Sequence, residues 1–212
     1  LAVSRHPPDM EHQMTAWLRL LLGVAILLPA GSPGALACAC CTHEGQRSVG
    51  TMTLDSGRQQ QIENLRFAGK ARLYTGEAEV EAVEGIATPS AEYDMTAAWR
   101  DNRLVFSFRD GKGRSGTLAL TRPNSMAVFE VDPRSGRDAG QGPALYKEWK
   151  LSAPASGSGV FAPSAAPSHV LTLIVHGQGN SCTDASDFSH WTLVMQGPKA
   201  NYTLFGKLVT TK

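Results

Sequence analysis

The sequence carries little charge of either sign. Lys and Arg number 20, Asp and Glu 19, and charged residues make up 18% of the chain. So even a balance offers no basic surface to displace counterions from a polyanion, and nucleic acid is not an expected partner. Long hydrophobic runs are missing too. The longest, residues 20–28, is about half of the ~20 residues a helix needs to cross a bilayer. Heptads and internal repeats are absent, which excludes coiled coils and solenoids. The usual catalytic signatures are also lacking: there is no Gly-x-Ser-x-Gly elbow and no His-Glu-x-x-His helix. Gly111-Lys-Gly-Arg-Ser-Gly116 is no phosphate loop, because no Lys-Ser/Thr pair follows where the phosphates require it. Cysteine is scarce, with four residues, three of them crowded at 38, 40 and 41.

What is present at the N-terminal side reads as an export signal. Arg19 precedes the apolar run, Pro29 and Pro33 break the helix after it, and Ala35-Leu36-Ala37 offers small residues at a cleavage site. Residues 1–13 read as an upstream extension, so 1–37 stand outside the fold and 38–212 form the expected single domain, periplasmic or secreted. That segment keeps 18 basic and 17 acidic residues once Arg5, Arg19, Asp9 and Glu11 are set aside.

Alternation of apolar and polar residues dominates this domain, the mark of half-buried strands. The clearest block is 93–131. Met95, Ala97 and Trp99 share a face, Leu104, Phe106 and Phe108 share the next, and Leu118 and Leu120 follow. Asp101-Asn102, Asp110-Gly-Lys-Gly113 and Arg122-Pro-Asn-Ser125 turn the chain between them. Residues 72–83 read as a long strand whose Glu77, Glu79 and Glu81 face solvent, since a buried row of like charges is costly. More strands are expected near 49–54, 145–151, 170–176, 191–196 and 202–209, and a short helix near 59–67. The spacing of turns predicts a mostly β, antiparallel barrel or sandwich of about eight to ten strands with few helices. Trp99, Phe106, Phe108, Leu118, Leu120, Leu173 and Trp191 are its expected core. Residues 132–144 are rich in Gly and Pro. Residues 152–168 are almost wholly Ser, Ala, Pro and Gly, and read as a long flexible loop because such a composition buries little.

Two constellations carry potential chemistry. The first is Cys38-Ala-Cys40-Cys41-Thr-His43 with the distant Cys182. In an oxidising compartment Cys182 is expected to pair with Cys40 or Cys41, and ring strain disfavours a vicinal Cys40–Cys41 bridge. The alternative use is metal: Cys38, Cys40, Cys41 and His43 are soft thiolates and an imidazole suited to copper or zinc. A lipid on Cys38 is a third use, and the one route to a membrane, although Ala35 stands where a lipobox wants a branched apolar residue. The second constellation is the segment 175–191, whose His176, Asp184, Asp187 and His190 make a candidate ligand loop. The competing reading makes it a loop pinned by Cys182, with Asp and Ser satisfying turn amides.

The Cys38-Ala-Cys40-Cys41 start, Gly179-Asn-x-Cys182 and Asp187-Phe-x-x-Trp191 together resemble a group of uncharacterised exported bacterial proteins. The resemblance implies export and no established activity. The expected function is therefore a non-enzymatic exported binding or structural domain. Its ligand would lie in a barrel interior or at the long loops, and metal handling is the alternative.

Overall fold

A computed structural model describes residues 45, 47–133, 145–179 and 184–209. All fall in one compact unit, Ala37–Lys212. Ten antiparallel strands and one α-helix make up the regular structure of these residues. In chain order they are β1 (Arg47–Thr53), α1 (Ser56–Glu63), β2 (Lys70–Tyr74), β3 (Glu92–Arg100), β4 (Arg103–Asp110), β5 (Ser115–Thr121) and β6 (Ser125–Val131). The long β7 (Leu145–Gly159), β8 (Val170–Gly179), β9 (Phe188–Gly197) and β10 (Ala200–Lys207) follow. Eight strands close a barrel in the order β7-β5-β4-β3-β2-β10-β9-β8, with β8 returning to β7. Of the expected barrel or sandwich, the barrel is what forms.

The two remaining strands are explained by a proline. Pro123 cannot donate to a ladder, so the chain breaks between β5 and β6. Both halves still lie along β7: β5 pairs with its second half, from Gly116↔Gly159 to Leu120↔Ala155. β6 pairs with the first half, from Ala127↔Lys150 to Val131↔Tyr146, and β1 lies on its outer side.

Alternation decides what faces inward. On β4, Leu104, Phe106 and Phe108 are buried, whereas Arg103, Ser107 and Arg109 are exposed. Phe106 meets Phe67 edge-on at 5.4 Å and Trp191 at 6.2 Å, and Leu118, Leu120, Leu173 and Leu193 are fully buried around them. Burying each such side chain contributes about 1.5–3 kcal/mol. On β4 the arginines face outward and the aromatics inward. Trp99, expected in the core, lies half-buried at the rim, where the Arg122 guanidinium covers it at 4.5 Å. Arg122 also bonds Gln59 and Glu63, which ties α1 to the same rim. α1 starts at Ser56, ahead of the expected 59–67, because the Asp55 carboxylate accepts from Arg58 N at 2.9 Å and caps it.

Two expectations need correction. Residues 152–168 are not a flexible loop: β7 runs on to Gly159, and the 3₁₀ turn Ala162–Ser164 leads toward β8. The small residues are there because the wall is crowded. A Cβ on Gly157 would stand 2.5 Å from the Phe161 carbonyl oxygen, and one on Gly159 2.2 Å from that of Ser115. Phe161, fully buried, packs at 5.0 Å from Phe108 and supplies the bulk this stretch of strand lacks. The long strand over 72–83 is also not formed. β2 ends at Tyr74, Gly76 takes φ +59°, and Val80–Ala82 coils into a 3₁₀ turn. Glu77, Glu79 and Glu81 remain exposed.

Candidate functional site

Lys147 opens the chemistry of the barrel because it points inward and is fully buried. Its Nζ lies 2.9 Å from Asp187 Oδ2 and donates to the Asp184 carbonyl at 2.8 Å. The Phe188 ring centroid is 5.7 Å away. Glu130 faces Lys147 across β6–β7; burial raises its carboxyl above the ordinary range, and the Lys147 charge works against that rise. A Cβ on Gly179 would sit 2.0 Å from Asp187 Cγ, so glycine leaves the room the carboxylate fills. Asp184 Oδ1 accepts from Ser186 N at 2.9 Å and caps the 3₁₀ turn Ala185–Asp187. Both aspartates of the expected ligand loop therefore serve the fold around Lys147.

The two histidines are not on a loop at all. His176 lies on β8 and His190 on β9, directly opposite one another and facing outward. Their rings stack at 5.6 Å with planes 22° apart. Glu148 stands opposite His176 on β7, and Lys207 opposite His190 on β10. A row Glu148–His176–His190–Lys207 thus crosses four strands of the outer wall. Tyr146 Oη donates to Glu148 Oε1 at 2.7 Å, and Lys150 Nζ lies 2.9 Å from Oε2. Burial opposes charge on Glu148, yet the hydrogen bonds from Lys150 and Tyr146 hold its carboxyl below the usual value. Burial, then the His190 charge, holds His176 below the usual histidine range, with Glu148 pulling the other way. Burial and the bond to Glu148 push the Tyr146 phenol up.

Farther round the same wall, the β2–β10 seam opens. The strands pair from Tyr74↔Thr203 to Arg72↔Phe205, and the ladder resumes only at the Phe67↔Leu208 bridge. Between these pairings lie four residues, 68–71, on one side and two, 206 and 207, on the other, so the chain entering β2 bulges and bends toward β3, with Lys70 opposite Asp94. The result is a groove of about 400 Å³ lined by Lys70, Arg72, His190, Phe205, Gly206 and Lys207. Lys70 is held by Asp94 at 2.7 Å and Glu92 at 3.2 Å, and Arg72 reaches Glu92 at 3.7 Å.

The segment 175–191 is therefore divided between the two faces of one wall: Asp187 turns in, and His176 and His190 turn out. Among the described residues no group of three or more His, Cys, Asp and Glu is arranged to hold a metal ion. Cys38, Cys40, Cys41, His43 and Cys182 lie outside the described residues. Lys147 was missed by sequence reasoning, although its register with Leu145, Trp149 and Leu151 placed it on an inward face. The groove left no such signal, because it arises from a shift in register between strands far apart in the chain. No family model, no curated protein and no solved structure matches this chain.

Proposed function

We propose that this is an exported, non-enzymatic binding domain that meets its ligand on the outer wall of the barrel, over β7, β8, β9, β10 and β2. The observation that carries the reading is the filled axis. Phe106, Leu118, Leu173, Trp191 and Leu193 are fully buried against one another, which favours an external ligand over one inside. The chemistry-bearing side chains divide the same way. The inward Lys147–Asp187 pair is engaged in the fold, whereas His176, His190, Phe205 and Lys207 face out. Export rests on the leader-like residues 14–37. A bridge from Cys182 to Cys40 or Cys41 would tie the start of the exported chain to the β8–β9 connection.

A fragment screen followed by amide shifts tests the reading. Hits should map to His176, His190, Phe205 and Lys207. Hits that map to inward Leu118, Leu173 and Leu193 would overturn it. Metal handling by Cys38, Cys40, Cys41 and His43 is the second reading, favoured by the crowding of three thiols within four positions. One equivalent of copper or zinc on protein purified under reducing conditions would select it instead.

A further inference from the structure

We infer that the groove at the β2–β10 seam binds a small, free amphiphilic carboxylate, its head on Lys207 and its apolar body across Phe205 and Gly206. This rests on the outer-wall reading above and names the ligand class for it. Shape comes first. The groove, at about 400 Å³, falls in the lower part of the ~300–1,000 Å³ range of small-molecule sites. Its floor is apolar where Gly206 leaves the wall bare and Phe205, 37% exposed, stands beside it.

Charge selects the head group. Lys70 and Arg72 each face a carboxylate, Asp94 or Glu92. Among the described residues Lys207 pairs with no acid, so one uncompensated positive charge stands at the groove, next to His190 across β9–β10. One net charge suits a monoanion. A cation would be repelled by Lys207. An apolar body covering Phe205 would also desolvate the contact with Lys207 and strengthen it.

A buried indole lies behind the floor of the groove. Trp191 Nε1 is buried and, among the described residues, has no hydrogen-bond partner. The indole edge beside it backs Gly206: a Cβ there would lie 2.7 Å from Trp191 Cζ2 and 2.9 Å from Cε2. The Trp191 indole thus sits at the inner side of the seam whose outer side is the groove. The same indole will report occupancy of the groove.

Decanoate, decanol and decyltrimethylammonium, each below its micellar concentration, are titrated into the full chain while amide shifts and tryptophan emission are followed. Decanoate should shift Phe205, Gly206 and Lys207 and perturb the emission, a response lost in Trp191→Phe. Lys207→Gln should weaken it about fivefold, as removal of one partly desolvated charge does, and Lys207→Glu more. Phe205→Ala should weaken it about tenfold, the effect of ~1.4 kcal/mol. Equal binding of the three decyl compounds, or no effect of Lys207→Glu, would overturn the proposal. So would capture by anionic phospholipid vesicles in place of free decanoate. Shifts elsewhere on the outer wall overturn the ligand assignment and leave the outer-wall reading standing, whereas shifts at Leu118 and Leu193 overturn both.

Discussion

Lys147 occupies a position that its neighbours give to Leu145, Trp149 and Leu151, and it survives there because Asp187 and the Asp184 carbonyl replace its water. Taking two charges out of water costs several kcal/mol per ion, and their attraction recovers this only when the geometry is good. Removing one partner is therefore worse than removing both. Lys147→Met should lower the urea-derived stability by about 3–5 kcal/mol, because the largely covered Asp187 carboxylate, its side chain 17% exposed, loses the lysine that faces it. Lys147→Met combined with Asp187→Leu should recover most of that loss. If the double variant is as unstable as the sum of the singles, the two groups are not energetically coupled and the ion pair is incidental. The alternation around residue 147 held the signal of an inward lysine that the sequence reading missed, and sequence alone does not say which acid comes to meet it. That acid lies on another strand, brought in by the 3₁₀ turn Ala185–Asp187.

At the scale of elements, β8 and β9 bring His176 and His190 together, and pH should act through this pair. The groups facing His176 are His190 on β9, and Glu148 and Tyr146 on β7. The folded state holds His176 below its ordinary value, chiefly by burial. The unfolded chain therefore takes up the proton first as pH falls. The contribution of His176 is fully present above the unfolded pKa of about 6.5 and is lost as pH drops through the lower folded value. Melting temperature should fall on acidification from pH 7.5 to 5.5, and His176→Gln should flatten the slope. An unchanged slope in that variant would assign the effect to other groups. The strands that set this geometry were readable where large apolar residues alternate, as in β4 and β9. The end of β7 was not, since Ala153, Ala155 and Gly157 are small, and Gly157 leaves the room that Phe161 fills. The stretch after Tyr74 misled in the opposite sense: Ala78, Val80 and Ala82 alternate with glutamates, but Gly76 turns the chain before a ladder forms.

Over the whole molecule, the pairing of β6 and β8 on either side of β7 gathers distant parts of the chain at one end. Gly45 N donates to the Asp132 carbonyl at 2.8 Å, just past the end of β6. Val131 pairs with Tyr146, Tyr146 with Gln178, and Leu145 with Gly179, so the chain just after the cysteine cluster and the chain just before Cys182 approach the same strand end. On the other side of Cys182, Asp184 is fixed to Lys147. This topology was not legible in the sequence, which supplied the cysteines but not the proximity of their flanks. The proposed bridge from Cys182 to Cys40 or Cys41 would enclose about 140 residues and stabilise by roughly 4–5 kcal/mol in the chain-entropy account. Cys182→Ser should then lower the melting temperature by roughly 10 °C or more, given ~2–4 °C per kcal/mol for a domain of this size. It should also free one thiol in the cluster, seen by alkylation of the unreduced, unfolded protein. The same variant measured in reducing buffer separates the bridge from mere packing: once thiols are reduced, wild type and Cys182→Ser should melt together. A Cys182 found free in non-reducing peptide maps, with no change in melting, would remove the bridge and leave the thiols at 38, 40 and 41 to metal or lipid.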